Sequence, residues 1–205
     1  MLFSNFDPVD LLLRIPALLW ALSFHEFCHG WAAYKLGDNT AAYNGRLSLN
    51  PIAHLDLVGT LMLLFFRFGW AKPVPINSRN FSNPRRDITL VSLAGPCGNF
   101  LTALVCGLLI NLFPSLLLGS FAIRGLMLQM LFINIGLGVF NLIPIPPLDG
   151  AKPLAMLLPA SYMDTYFFLE RYGIIIILGL SFTNILPMIM YPISNFLLRV
   201  CLFQF

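Results

Sequence analysis

Ala17-Leu18-Leu19-Trp20-Ala21-Leu22-Ser23-Phe24-His25-Glu26-Phe27-Cys28-His29-Gly30-Trp31-Ala32-Ala33-Tyr34 is an apolar stretch with three ionisable side chains packed into five positions. On a helix His25 and His29 stand at i and i+4, so both imidazoles project from one face, one turn apart. That spacing lets two imidazoles grip one metal ion, with Glu26 alongside. His-Glu-x-x-His on a helix is the pattern of a zinc site whose glutamate acts as general base toward water. A lone histidine on an apolar face is usually a satisfied core residue. Two histidines and a glutamate at lipid depth are a different matter: each charge there costs at least ~2.5 kcal/mol to insert, and such residues are rare and usually functional.

Composition places this stretch in a bilayer. The 205 residues are 58% hydrophobic and only 10% charged, against about 25% charged in a soluble domain. Too few charges remain to cover a water-facing surface, and a single helical membrane domain over 1–205 is expected. The net charge of +3 is scattered among loops, so nucleic acid is not an expected partner. Cys28, Cys97, Cys106 and Cys201 lie in apolar surroundings without paired spacing, which favours buried thiols over disulfides. Cys28 is turned about 100° from His29 on a helix and makes a poor co-ligand. The first apolar segment carries the histidine motif and has no basic leader before it, so it does not read as a cleaved signal.

Taken in order, Asp7-Pro8 is a helix start, and the first helix is expected from about residue 9 to about residue 35. That length crosses ~30 Å of hydrocarbon. Gly37-Asp38-Asn39 closes it. Residues 57–68 are apolar but too short to span, which suggests a short re-entrant or interfacial helix. Gly69 to Asn77 reads as a small extended, β-like segment. In it Pro73 and Pro75 remove donors from one edge and leave Val74 and Ile76 to pair on the other. Residues 87–114 and 121–143 are two further spans, the first with small residues at Ala94-Gly95 that permit close helix approach. The second runs into Pro144-Ile145-Pro146-Pro147-Leu148-Asp149, where the prolines must break the helix. A carboxylate beside a broken intramembrane helix marks a site. Ala151–Leu158 reads as a short helix, Tyr162–Tyr172 as a loop or interfacial helix, and about 173–203 as a C-terminal membrane segment interrupted at Pro187 and Pro192. The catalytic core is expected within about 9–160. The fold class is an all-α polytopic membrane protein, a helical bundle with a three-span core.

Lys35, Arg46, Arg67, Lys72, Arg79, Arg85 and Arg86 lie between the first two spans, and only Arg124 between the second and third. The positive-inside rule puts the first connection in the cytoplasm and the histidine pair toward the cytoplasmic side of the cell membrane. A catalytic zinc usually takes three protein ligands. Asp149 and His54 lead for the third, followed by Asp56 and Asp87. Asp149 is preferred because a carboxylate in a proline-broken membrane segment needs a partner, whereas His54 can sit at the aqueous edge.

His25-Glu26-Phe27-Cys28-His29, then Ala94-Gly95-Pro96 with Asn99, then Asn141-Leu142-Ile143-Pro144 leading to Pro147-Leu148-Asp149-Gly150, resemble the site-2 protease family in order and spacing. These are intramembrane zinc metalloproteases, and the resemblance runs from about residue 15 to about residue 160. Asn50-Pro51 with His54, and Lys72-Pro73-Val74-Pro75, look like the small prokaryotic branch without a PDZ domain. The resemblance implies one Zn2+ held by His25, His29 and Asp149, with Glu26 as catalytic base. It also implies cleavage within the transmembrane segment of another protein or peptide. Larger members carry extra spans or a PDZ or CBS domain, and this chain shows none, leaving a second copy or a regulatory membrane partner open. Asn141 is a candidate oxyanion donor, with capping of the broken helix as the equal alternative. His54 is expected near the site, and Val74 and Ile76 along the substrate. Two other functions fit the same residues: a membrane zinc hydrolase of a lipid or small amide, and a non-catalytic metal-binding transporter or scaffold.

Overall fold

A computed structural model describes residues 8–56, 59, 71–114 and 119–203. Helix α1 covers Pro8–Lys35, with proline at its first position, where the missing N–H costs nothing. Its C-terminus closes on Gly37, whose φ of 104° is open to glycine at little cost. Gly37 N–H donates to Tyr34 O (3.2 Å) and Asp38 N–H to Ala33 O (2.9 Å), the paired bonds of a Schellman stop. Two short helices follow, α2 (Thr40–Tyr43) and α3 (Pro51–His54). Asn50 caps α3 by accepting from Ile52 N–H. Apart from Gly59, the expected helix at 57–68 and the start of the extended segment at 69–70 lie outside the described residues. Residues 71–77 carry neither helix nor β-ladder, and a single 3-10 turn, Ser78–Asn80, ends them.

Helix α4 (Pro84–Leu112) and helix α5 (Phe121–Asn141) are the second and third long helices. Asn83 and Ser120 cap them by accepting from Arg86 and Ile123 N–H. The buried positions of α5 are Leu131, Asn134, Ile135, Gly138 and Val139, a single stripe at i, i+3, i+4, i+7 and i+8. Against this stripe pack Ala103 and Cys106 of α4. α4 has small residues on its own stripe, and Gly98 lies so close to α1 that an added Cβ would be 2.5 Å from Cys28 Sγ. α1, α4 and α5 form the core bundle.

After α5 the chain turns through 142–150 into α6 (Ala151–Leu157). The C-terminal part differs from the expected division at residue 173. One helix, α7 (Met163–Ser181), runs through that point, and α8 (Ile185–Cys201) follows after a break at 182–184. Gly173 is a packing residue rather than a breaker, since a Cβ there would meet Pro146 O at 1.6 Å. Pro187 does not interrupt either, because it falls in the first turn of α8, where N–H groups have no intrahelical partner. α8 packs on α5 and α4, with Cys201 in the core. Among the described residues, three helices are long and apolar enough to cross a membrane, and α7 with α8, bent by 83°, make a fourth if counted as one span. The protein is an all-α, multi-pass membrane protein. All four cysteines are free; Cys106 and Cys201 are buried as expected, whereas Cys97 is exposed.

Candidate metal centre and active site

The histidine motif lies in the C-terminal half of α1 and faces α4 and the loop after α5. His25, His29 and Asp149 are each at most 6% exposed. His25 Nε2 and His29 Nε2 are 3.0 Å apart, and each is 3.0 Å from Asp149 Oδ2. The other ring nitrogens face outward. His29 Nδ1 is 2.7 Å from Val91 O, a carbonyl that can only accept, so Nδ1 carries a proton, and in the neutral ring Nε2 then presents its lone pair. His25 Nδ1 is 2.6 Å from Asn99 Oδ1, which fixes the same tautomer.

With both rings neutral, three lone-pair atoms converge on one point, an arrangement that could hold a metal ion. Donors bonded to one zinc at ~2.0–2.1 Å in a tetrahedron stand about 3.3 Å apart, within a few tenths of the spacing here. The floor of the cluster is Gly95 of α4. A Cβ there would fall 2.4 Å from His29 Nε2 and 2.7 Å from His25 Cε1, so the room for the imidazole pair exists because position 95 has no side chain. The donor set and the space both fit a zinc ion.

Asp149 reaches the cluster through the proline-broken loop. Gly150 N–H donates to Asn141 O at 2.7 Å, and Leu148 N–H to Ile145 O at 3.0 Å, so freed backbone groups are satisfied inside the protein. The second carboxylate oxygen, Oδ1, takes Lys152 Nζ at 3.2 Å. Asn141 uses its side-chain amide on Leu137 O at 3.0 Å. That bond satisfies a carbonyl near the end of its own helix.

Glu26, one residue from His25, accepts Val74 N–H at Oε2 (2.9 Å). Segment 71–77 is thus laid against the candidate base. Both its ends are tied down. Arg46 Nη2 donates to Lys72 O and Pro73 O, at 2.5 and 3.2 Å, while Lys72 N–H donates to His54 O at 2.8 Å. At the other end Asp38 accepts from Asn77 N–H and Asn80 Nδ2, both at 2.7 Å, and from the amide and hydroxyl of Thr40. Burial opposes ionisation at Asp38, but these donors outweigh it and hold the carboxyl below the usual carboxylate range. The expected free edge at Val74 is occupied by Glu26.

The rival third ligands stand elsewhere. His54 is buried, with Nε2 donating to Ser48 O at 2.7 Å, and it is not part of the cluster. Asp87 accepts from Asn83 N–H at 3.0 Å, at the start of α4. Asp56 accepts from Gly59 N–H at 2.8 Å.

The chain is 38% identical over 194 residues to a protein of Bacillus subtilis (strain 168) named "Putative zinc metalloprotease YwhC", covering 92% of this chain and 89% of that one. The chain belongs to the site-2 protease family. It is also 33% identical over 153 residues to "Putative zinc metalloprotease Rip2" of Mycobacterium tuberculosis (strain Erdman), covering 70% of this chain and 56% of that protein. A third relative is "Putative zinc metalloprotease MJ0611" of Methanocaldococcus jannaschii, 29% identical over 157 residues, with 74% of each chain covered. No family model matches the chain, and no solved structure does.

Several residues of the site carry no motif of their own. Val91 contributes a main-chain carbonyl, which any side chain would supply. Lys152, Arg46 and Asp38 are single charges in a chain with few of them, and their scarcity was the one available signal.

Proposed function

We propose that the chain is an intramembrane zinc endopeptidase that cleaves the transmembrane segment of another membrane protein near the cytoplasmic face. The observation that carries this reading is the triangle of His25, His29 and Asp149, three lone-pair atoms 3.0 Å apart. His25, His29 and Asp149 would hold one zinc ion. Zinc so held supplies Lewis acidity to a scissile carbonyl and makes water more acidic.

The chain's own residues do the rest. Glu26 takes the proton of the attacking water and returns it to the leaving amine. The Val74 amide holds Oε2 of Glu26, leaving Oε1 to meet the water. Val91 O and Asn99 Oδ1 keep both Nδ1 atoms protonated, so both Nε2 lone pairs stay available. A helical substrate hides its carbonyls and must be unwound first. Segment 71–77 lies beside the base, and with Val74 N–H, Lys72 O and Pro73 O already bonded, Ile76 is the position assigned to meet an extended chain. The excess of Lys and Arg in the connection between α1 and α4 favours a cytoplasmic location for that segment.

The test is co-expression with a panel of single-span membrane proteins. The wild type is expected to release truncated peptides, and Glu26→Gln to lose that activity while retaining zinc. Release of a fatty acid or head group, with every peptide intact, would assign the site to lipid hydrolysis instead. An undiminished function in Glu26→Gln would point to transport or scaffolding.

A further inference from the structure

Asn134 sits in the middle of α5, in an otherwise apolar span, and has no exposed surface. Its Nδ2 donates to Met130 O at 2.8 Å, a carbonyl that can only accept. The amide is therefore oriented with Oδ1 toward α4, where Asn99 Nδ2 donates to it at 2.9 Å. Asn99 Nδ2 donates a second time to Ala21 O at 3.0 Å, which uses both its hydrogens. Asn99 too is fully buried. Only one orientation of its amide satisfies all these partners, and in it Oδ1 faces His25 Nδ1. A flipped Asn99 would set an N–H against the imidazole and favour the opposite tautomer, with its proton on Nε2.

We infer that Asn134 is a positioning residue for the metal centre, acting through Asn99 to lock His25 in the Nδ1–H tautomer. The inference rests on the zinc reading above. The relay crosses three helices: Met130 and Asn134 on α5, Asn99 on α4, Ala21 and His25 on α1. Isolated imidazole in water has no such lock. Partners of a metal-binding histidine typically contribute about 10–100-fold in metal affinity. Asn134 is one bond further out and is expected at the lower end of that range.

The experiment uses the full chain in detergent micelles with 15N-labelled histidine. In the metal-free wild type the relay predicts a proton on His25 Nδ1, facing Asn99 Oδ1, whether or not Asp149 also holds one on Nε2; a bare Nδ1 would overturn the inference without any variant. Zinc affinity is then measured by competition with a chromophoric chelator for the wild type, Asn134→Leu, Asn99→Leu and the double variant. Asn134→Leu is expected to lose about ten-fold in affinity, with the His29 signal unchanged. In the Asn99→Leu background the same change is expected to have little further effect, because the relay is already cut. Equal losses in both backgrounds would mean that Asn134 acts by packing alone, and an affinity within two-fold of wild type would mean that it does not act at all. Either result overturns the inference. A wild type that binds no zinc would instead defeat the proposed function.

Discussion

Gly95→Ala tests the site at the glycine that lies directly against both imidazoles. The added methyl would lie 2.4 Å from His29 Nε2, 2.6 Å from His29 Cε1 and 2.7 Å from His25 Cε1, where ordinary contact begins at 3.4 Å. The rings must therefore retreat by about 1 Å, the difference between those figures. Overpacking of this kind costs about 1–3 kcal/mol, while replacing a helical glycine returns about 1 kcal/mol. Global stability should thus change by no more than about 2 kcal/mol. Metal binding should suffer far more. Ligand distances tolerate only ~0.2 Å, so a 1 Å retreat removes at least one ligand. We expect zinc affinity to fall by about a hundred-fold or more, on the scale of a 1 Å misplacement in a site. Chelator competition on purified protein reads the affinity, and thermal unfolding reads the fold. Gly136→Ala is the matched control, since nothing lies within 4 Å of its added Cβ, and it should bind zinc as the wild type does. If Gly95→Ala binds zinc within three-fold of wild type, the imidazole pair is not the metal site.

Three further outcomes are expected. Asp149→Asn should weaken zinc binding by ten-fold or more, since a neutral amide replaces an anionic ligand and leaves Lys152 without its partner; metal content after dialysis checks this. Asp38→Asn turns an acceptor of several hydrogen bonds into a group that also donates, and should cost about 1–3 kcal/mol. Because the folded carboxyl is held below its ordinary value, its contribution is complete above about pH 4 and is lost as pH falls through the lowered value. Unfolding measured across acid pH should thus be steeper for the wild type than for Asp38→Asn. Arg46→Met frees the carbonyls of Lys72 and Pro73 and should lower peptide cleavage by roughly ten-fold with zinc affinity unchanged, as judged by parallel cleavage and metal-binding assays.

How much of this was legible in the sequence depends on what kind of signal each residue leaves. His25, Glu26 and His29 are readable because a helix converts their spacing into shared facing, and the bilayer makes each of them expensive. Asp149 is readable because prolines announce the break that frees it. The ends of α1 follow from Pro8 and Gly37. Asn134 left only the mark of one polar residue in an apolar span, and its partner Asn99 is 35 positions away, beyond the reach of any local pattern. Gly173 misled for a physical reason: glycine breaks helices when exposed, yet here it lets α7 approach Pro146. The true break, at Phe182-Thr183-Asn184, contains neither glycine nor proline.

The contact from Val74 to Glu26 belongs to the peptide bond rather than to a side chain. Swapping the valine for alanine, serine or lysine leaves that donor in place, so a routine side-chain scan would rank position 74 as a minor packing site and overlook it. Only proline, or an ester in place of the amide, deletes the hydrogen. With Pro73 and Pro75 on either side, one codon separates this stretch from an unbroken run of imino acids, and the base would then lose its main-chain anchor at Val74.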